Sequence, residues 1–304
     1  MQLSKGPALA LVSLLMMPLV VLNAFADQDG STASPSIGLA LGSGGAGGLS
    51  HIAMLRVFDE LEIQPARIAG TSVGAAIGAL YAAGLSADEI EAIFREFAGS
   101  ELDAITGILN SGLSLGDVFQ SGLDSGGLID PSGFISFLAG HVDATRFSDL
   151  RIPLTVVATD FWSGEPVILE SGDLFKAVHA SIAVPGLFQP VEDGERLLVD
   201  GGTSNPLPFD LLLDKTDRVV AIDVTGNRQA NGDNSDMTDL LFKTFELMQQ
   251  SITREMRKRK QPDLYIKVDT GDVRLLELNR LDTILEQAEP AAEELRKKLL
   301  QWYQ

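Results

Sequence analysis

Short runs of consecutive apolar residues recur along this chain, and glycines or polar turn residues bound most of them. Strands that are buried on both faces of a sheet read as continuous apolar runs, whereas half-solvated strands alternate between apolar and polar residues. The pattern therefore predicts buried strands, at Ile37–Leu41, Arg67–Ala69, Leu154–Ala158, Leu197–Val199, Val219–Val224 and Leu264–Val268.

Segments with helical spacing lie between several of these runs. Their apolar residues recur at positions i, i+3, i+4 and i+7, which places them on one face of a helix. The groups are Met54/Val57/Phe58/Leu61, Ile90/Ile93/Phe94/Phe97 and Leu281/Ile284/Leu285/Ala288. Strands that alternate with helices predict an α/β fold of three layers, with a mainly parallel central sheet and helices on both faces.

The first apolar run of the chain has a different character. Lys5 precedes the run Ala8–Leu22, and a small-x-small pattern ends at Ala26. This order is typical of a secretory signal peptide, here residues 1–26, and it predicts an exported protein, periplasmic or secreted. An uncleaved anchor is the alternative, but a run of about 15 residues that contains Pro18 is short for a membrane span of roughly 20 residues.

The rest of the chain is expected to form one domain. Residues 27–36 are polar and rich in turn formers, which indicates a flexible leader before a domain over residues 37–304. Residues 99–135 set glycines among apolar residues. Both a mobile apolar cover over a site and a loop-rich insertion fit that composition.

Charge and cysteine content narrow the class of partner. The chain has a net charge of −19, which argues against nucleic acid and against a general affinity for anionic membrane surfaces. Neutral and zwitterionic lipids stay compatible with it. The chain contains no cysteine, so it carries neither a lipid-modified cysteine nor a disulfide. With three histidines and no cysteine we expect no zinc site, whereas Ca²⁺ bound by carboxylates stays compatible with the sequence, and no cofactor is implied.

A candidate nucleophile lies directly after the predicted strand Arg67–Ala69. Gly70, Ser72 and Gly74 form a G-x-S-x-G pattern that leads into a small-residue helix. In a nucleophile elbow, the serine takes a strained turn between a strand and a helix, and the glycines remove side chains that would collide. The same residues are also common in ordinary turns, so the pattern needs support from elsewhere in the chain.

A glycine-rich loop at residues 42–48 provides one kind of support. The first predicted strand runs straight into it, and a helix follows, so its backbone N–H groups can bind negative charge. A dinucleotide-binding loop would need an acidic residue at the end of the second strand. That strand leads to Ser72 instead, which favours an oxyanion hole for a serine that attacks an ester.

A candidate base lies at the end of the predicted strand Leu197–Val199. Asp200 follows that strand and precedes Gly201 and Gly202. Catalytic groups of open α/β sheets gather at the carboxyl ends of strands, where Ser72 and the glycine loop are also expected. The three strand ends together indicate a hydrolytic site.

These segments resemble the patatin-like phospholipases, in their bacterial, neuropathy-target-esterase-like branch. The matching segments, in order, are Gly44–Ile52, Gly70–Gly74, Ala158–Asp160, Ala180–Pro190 and Asp200–Pro208, within about residues 37–270. The resemblance implies a patatin-like fold and hydrolysis of phospholipids or other acyl-ester lipids. It implies a Ser-Asp dyad, with Ser72 as nucleophile and Asp200 as proton acceptor. The backbone amides of Gly44, Gly45, Ala46, Gly47 and Gly48 would form the oxyanion hole.

The chain departs from the family pattern at two positions of the loop. Gly47 stands where the family usually carries arginine or lysine, and Ser43 replaces a usual glycine. Because of these departures, and because the chain contains histidines, two other functions stay open. One is a triad of Ser72, Asp160 and His179; the other is a non-catalytic protein that binds lipid or acyl chains. We expect structural roles for Asp160, His179, Ser181 and His51.

A basic cluster, Arg254–Lys260, ends the helical pattern Met237/Leu240/Leu241/Thr244/Phe245/Met248. Cations stabilise the C-terminus of a helix, which explains such a cluster without a partner. The alternative is a contact with lipid headgroups that brings the protein to a membrane.

Overall fold

The computed structural model describes residues 34–100, 130–226, 237–271, 273–274 and 276–303. The predicted signal peptide, most of the predicted leader and residues 101–129 of the glycine-rich segment lie outside the described residues. Everything described belongs to one compact unit that begins at Ser34. Export and the domain bounds stay predictions.

The described strands form a single sheet. They are β1 (Ile37–Leu41), β2 (Arg67–Thr71), β3 (Leu154–Asp160), β4 (Pro166–Leu169), β5 (Val191–Asp193), β6 (Arg196–Asp200), β7 (Arg218–Asp223) and β8 (Leu264–Lys267). Their order is β5-β6-β3-β2-β1-β7-β8, and β4 pairs with β3 outside this path. The strands from β3 to β8 along that order are parallel, whereas β4, β5 and β6 pair antiparallel.

The described helices are α1 (His51–Glu60), α2 (Val73–Ala82), α3 (Ala87–Ser100), α4 (Ser132–Ala139), α5 (Leu174–Ile182), α6 (Met237–Arg259) and α7 (Leu281–Trp302). A 3₁₀ turn, Gly45–Ser50, leads into α1. None of the helices in the described ranges combines the length and the apolar character that a membrane crossing requires.

Both faces of the sheet are buried, and β1 shows why. Leu39 and Leu41 belong to the core that packs against α1, α2, α3 and α7. Ala40, between them, belongs to a second cluster, which contains Phe209 and is packed by Met256 of α6. Successive residues of a strand point to opposite faces, so a continuous apolar run serves both. The predicted α/β fold with a mainly parallel sheet is confirmed.

The sequence pattern did not predict β4 and β5, which lie at the antiparallel end of the sheet. β5 contains Glu192 and Asp193, and β4 alternates between exposed and buried positions. A short strand with one solvated face lacks the continuous apolar run by which the other strands were identified.

Candidate active site

Ser72 lies in the turn between β2 and α2 with φ 55° and ψ −125°. This positive φ is uncommon for a residue with a side chain and stores strain in the turn. A Cβ on Gly70 would lie 2.7 Å from the Ala75 Cα, and a Cβ on Gly74 would lie 2.2 Å from the Leu41 carbonyl oxygen. Both predicted glycines therefore lie against backbone atoms, and the turn takes the form of a nucleophile elbow.

The backbone of Ser72 is held by Ser181, for which we expected a structural role. The Ser72 N–H donates to Ser181 Oγ at 2.8 Å. Ser181 Oγ in turn donates to the Val157 carbonyl of β3 at 2.6 Å. Ser181, on α5, thus fixes the strained turn to the central sheet. The signal available in the sequence was a single small polar residue in an otherwise apolar segment.

Asp200 is completely buried and contacts the nucleophile directly. Its Oδ2 accepts from Ser72 Oγ at 2.6 Å, and its Oδ1 accepts from the Gly202 N–H at 2.6 Å. Burial raises the pKa of Asp200 to about 7, and the two hydrogen bonds oppose that shift. A carboxylate with this pKa is a better base near neutrality than an ordinary aspartate.

Asp200 reaches Ser72 because two strands end against the same edge of β3. β2 runs parallel to β3 up to Thr71, which lies opposite Val157. β6 runs antiparallel to β3 and ends at Asp200, opposite Ala158. Since β4 pairs with the other edge of β3 over these residues, β2 and β6 meet end to end. Neighbouring residues of β3 thus place Asp200 beside the turn that follows Thr71.

The antiparallel direction of β6 differs from the arrangement on which the predicted position of Asp200 was based. We expected the carboxyl ends of parallel strands to gather at one edge, but β6 runs opposite to β3. The junction also explains Gly201, because a Cβ there would lie 2.1 Å from the Val157 carbonyl oxygen. Thr159 Oγ1 donates to the Asp200 carbonyl at 2.9 Å and fixes the same junction.

The glycine loop starts from fixed points. The N–H of Gly42 donates to the Ile222 carbonyl at 3.1 Å, and the N–H of Ser43 donates to the Pro206 carbonyl at 2.8 Å. The 3₁₀ turn begins at Gly45, and N–H groups at the start of a helix have no partner within it. Gly44, Gly45 and Ala46 line the same cavity as Ser72. Their role as an oxyanion hole stays a prediction.

The other two loop residues meet protein rather than the cavity. A Cβ on Gly48 would lie 2.1 Å from Val73 Cγ1, so Gly48 permits close packing of the loop on α2. A Cβ on Gly47 would lie 2.6 Å from Thr270 Oγ1. A basic residue of the kind usual in the family would require the buried Thr270 to move.

The cavity beside Ser72 has a volume of about 220 Å³ and a largely apolar lining. Its aromatic lining residues are Phe94, Phe97, Phe134, Phe188, Phe242 and Phe245. They come from α3, α4 and α6 and from the segment after α5. A largely apolar lining of this kind favours burial of an apolar group.

The alternative triad is not assembled in the described structure. Ser72 donates to Asp200, whereas the Asp160 carboxylate accepts the N–H groups of Trp162 and Ser163 at 2.9 and 3.0 Å. His179 Nε2 is buried with no hydrogen-bond partner. The predicted structural role of Asp160 is confirmed, since it binds the backbone of its own turn.

His51 supports the start of the glycine loop. Its Nε2 donates to the Gly42 carbonyl at 2.9 Å. Burial lowers the pKa of His51 to about 4, so the ring is neutral near pH 7. Its predicted structural role is confirmed. Within the described residues, no group of three or more histidines and carboxylates could hold a metal ion.

The chain matches a known family over this site. The sequence profile described as patatin-like phospholipase matches residues 39–213, more than half of the chain. This chain belongs to the patatin-like phospholipase family, a family of lipid ester hydrolases. The resemblance recognised in the sequence is confirmed.

Two relatives illustrate the branch. An uncharacterised NTE family protein of Mycobacterium tuberculosis is 34% identical over 198 residues, 64% of this chain and 51% of the relative. The patatin-like phospholipase domain-containing protein 6 of Mus musculus is 32% identical over 192 residues, 62% of this chain and 13% of that protein. The predicted NTE-like branch is therefore confirmed. The chain spans about half the length of the mycobacterial relative.

Among solved structures, VipD from Legionella pneumophila aligns with a TM-score of 0.49 at 15% identity. The alignment covers 87% of this chain and 67% of VipD.

Proposed function

We propose that this chain is a serine lipid acyl hydrolase of the phospholipase A or lysophospholipase type. The observation that carries the proposal is the 2.6 Å hydrogen bond from Ser72 Oγ to the buried Asp200 Oδ2, in a chain of the patatin-like family. In this proposal Ser72 attacks the acyl carbonyl and Asp200 accepts its proton. The apolar cavity supports an acyl-ester lipid as substrate.

The reaction follows from the positions of the groups. As the Ser72 oxygen adds to the ester carbonyl, Asp200 takes its proton, and the loop amides stabilise the negative charge on the former carbonyl oxygen. The proton then passes to the alcohol that leaves, which produces an acyl-enzyme. Water gives up a proton to Asp200 and attacks the acyl group. As the fatty acid is released, Asp200 returns that proton to the Ser72 oxygen, which restores the free serine.

A fluorophosphonate probe tests the nucleophile. We expect covalent labelling of the folded protein at Ser72, identified by mass spectrometry, and none in Ser72→Ala. We also expect His179→Ala to keep its rate on a soluble acyl ester, since His179 contacts neither Ser72 nor Asp200 by a hydrogen bond. A lipid carrier would retain ligand without turnover or labelling, and a His-dependent triad would lose activity in His179→Ala.

The substrate and the position of cleavage are tested with a panel of phospholipids and lysophospholipids. The released acids and lysolipids, identified by mass spectrometry, name the bond. Release of acyl chains from the panel supports the proposal. Hydrolysis of small soluble esters but of no lipid in the panel would contradict the proposal that the substrate is a lipid.

We propose further that the protein meets its substrate at a lipid surface, through the exposed apolar face of α6. Leu240, Leu241, Leu247 and Met248 share one helix face by their spacing, and Leu240 and Leu247 are 60% and 52% exposed. The same helix lines the cavity with Phe242 and Phe245. Apolar side chains beside a lipid pocket fit insertion into a neutral or zwitterionic surface.

The basic cluster supports such a contact less well. The Arg257 guanidinium lies 3.3 Å from the centre of the Tyr265 ring, and Lys258 pairs with Glu255 at 2.7 Å. These contacts hold part of the cluster within the protein. The large negative net charge also opposes binding to anionic lipid.

Vesicle sedimentation distinguishes a contact through the apolar face of α6 from a contact through the basic cluster. With phosphatidylcholine vesicles and a Ser72→Ala background, we expect Leu240→Ser with Leu247→Ser to weaken binding, at low and high salt alike. The matched control is Leu300→Ser, an exposed leucine of α7. Loss of binding in Arg254→Glu with Arg259→Glu, or at high salt, would assign the contact to the basic cluster instead. A parent protein that does not bind would contradict the membrane contact.

We also propose export, on the signal-like order of residues 1–26 alone. Expression of the full chain in a bacterium should yield a periplasmic or secreted protein whose N-terminal sequence begins at Asp27. A cytoplasmic product that retains Met1 would contradict it.

A further inference from the structure

A buried pair of polar side chains lies beside the dyad and has no role in the mechanism above. Gln249 Nε2 of α6 donates to Ser43 Oγ of the glycine loop at 3.0 Å. Ser43 is 2% exposed and Gln249 is 3% exposed. Both line the cavity that contains Ser72. A polar pair in a largely apolar cavity costs desolvation, so its position calls for a function.

Gly202 shows how close this pair is to the catalytic carboxylate. A Cβ on Gly202 would lie 2.3 Å from Gln249 Nε2, 2.8 Å from Ser43 Oγ and 2.9 Å from Asp200 Oδ1. The three polar groups therefore surround the same point. Gly202 leaves room for them because it has no side chain, and its N–H donates to Asp200.

The hydrogen bonds of Ser43 determine where its proton can point. Its backbone N–H is used by the Pro206 carbonyl and cannot serve an oxyanion. Its hydroxyl oxygen accepts from Gln249, so its O–H points away from that side chain. Among the described residues, the hydroxyl has no protein acceptor. Ser43 directly precedes Gly44, Gly45 and Ala46, which line the same cavity.

We propose that the Ser43 hydroxyl is a further donor to the ester carbonyl oxygen, and that Gln249 is the residue that orients it. This inference rests on the proposed hydrolase function and deepens it. The Ser43 N–H already donates to the Pro206 carbonyl, so the Ser43 hydroxyl would provide a side-chain donor at the same end of the loop. A donor aimed at developing charge lowers the barrier more than it tightens substrate binding.

A double-mutant cycle on a soluble acyl ester tests both roles. Ser43→Ala should lower kcat by about 10-fold to 100-fold with little change in KM, as expected for one donor of several. Ser43→Gly, which introduces the residue usual in the family, should lose as much. Gln249→Met keeps the length of the side chain and removes the donor, and it should lower kcat about 3-fold to 10-fold.

The double variant Ser43→Ala with Gln249→Met distinguishes positioning from general support of the fold. If Gln249 acts only through Ser43, the double variant is as slow as Ser43→Ala alone. Losses that multiply would overturn the positioning role of Gln249. Unchanged kcat in both Ser43 variants, with an active wild type, would overturn the donor while the hydrolase stands. A wild type that hydrolyses no acyl ester would instead contradict the proposed function, and this inference would fall with it.

Discussion

The parallel and antiparallel parts of the sheet position their catalytic groups in different ways. In the parallel part, β1 and β2 each end in a tight turn and a helix, so the glycine loop and Ser72 are placed by local chain geometry. In the antiparallel part, Asp200 comes 128 residues after Ser72 in the chain and is placed by pairing of β6 with β3. The nucleophile therefore depends on a local turn, whereas the dyad depends on where two strands meet.

The largest effects are expected where a side chain would enter either junction. Gly74→Ala places a Cβ 2.2 Å from the Leu41 carbonyl oxygen, and Gly201→Ala places one 2.1 Å from the Val157 carbonyl oxygen. Each should lower the esterase rate by about 100-fold or more, because the backbone must shift next to a catalytic residue. Each should also lower the free energy of unfolding by about 3 kcal/mol.

Gly133→Ala in α4 is the matched control for stability, because a Cβ there meets nothing within 4 Å. It should leave the free energy of unfolding unchanged or slightly higher. Fluorophosphonate labelling of the folded fraction separates the two variants. We expect more labelling of Ser72 in Gly201→Ala than in Gly74→Ala, because Gly201 lies outside the elbow. Full activity in Gly201→Ala would contradict the end-to-end junction.

A smaller loss is expected for Ser181→Ala, which removes the link between the Ser72 turn and β3. Ser181 accepts from the Ser72 N–H and donates to Val157 of β3, so its removal leaves the strained turn unfixed. We expect kcat to fall about 10-fold to 30-fold and stability to fall by roughly 1 to 3 kcal/mol. Steady-state rates and urea unfolding measure the two quantities. An unchanged kcat would mean that the elbow holds its shape without Ser181.

The pH dependence of the wild type gives an effect of about tenfold. Asp200 must be ionised to accept the proton, and burial raises its pKa to about 7. The value of kcat/KM should therefore rise with pH, reach half its maximum near pH 7, and be about tenfold below its plateau at pH 6. A midpoint near pH 4 would indicate an ordinary aspartate, and a flat profile would remove Asp200 as the base.

Much of the parallel side could be predicted from the sequence. Its strands are continuous apolar runs, and the glycines at residues 42–48 and 70–74 follow them directly, so pattern and turn chemistry point to the same elements. The antiparallel side was harder, because β4 and β5 are short and partly polar. Asp200 was identified by its strand and its glycines, although the direction of β6 is not encoded in any local pattern.

The supporting residues of the site were the least predictable. Ser181 and Gln249 meet Ser72 and Ser43 only through the fold, across 109 and 206 positions of the chain. The exposed face of α6 is a further difference, since helical spacing of apolar residues ordinarily marks a buried face. In α6, however, Leu240, Leu247 and Met248 are at least half exposed.

The rate of Asp200→Asn on a soluble acyl ester at pH 8 tests the central claim most directly. A carboxylate with a raised pKa binds protons more tightly when folded, so its charged form costs stability as pH rises from about 4 to 7. Asp200→Asn should therefore be at least as stable as the wild type at pH 8. We predict a folded variant that has lost at least about 10³-fold in kcat. A folded Asp200→Asn that keeps the wild-type rate would contradict the Ser72–Asp200 dyad.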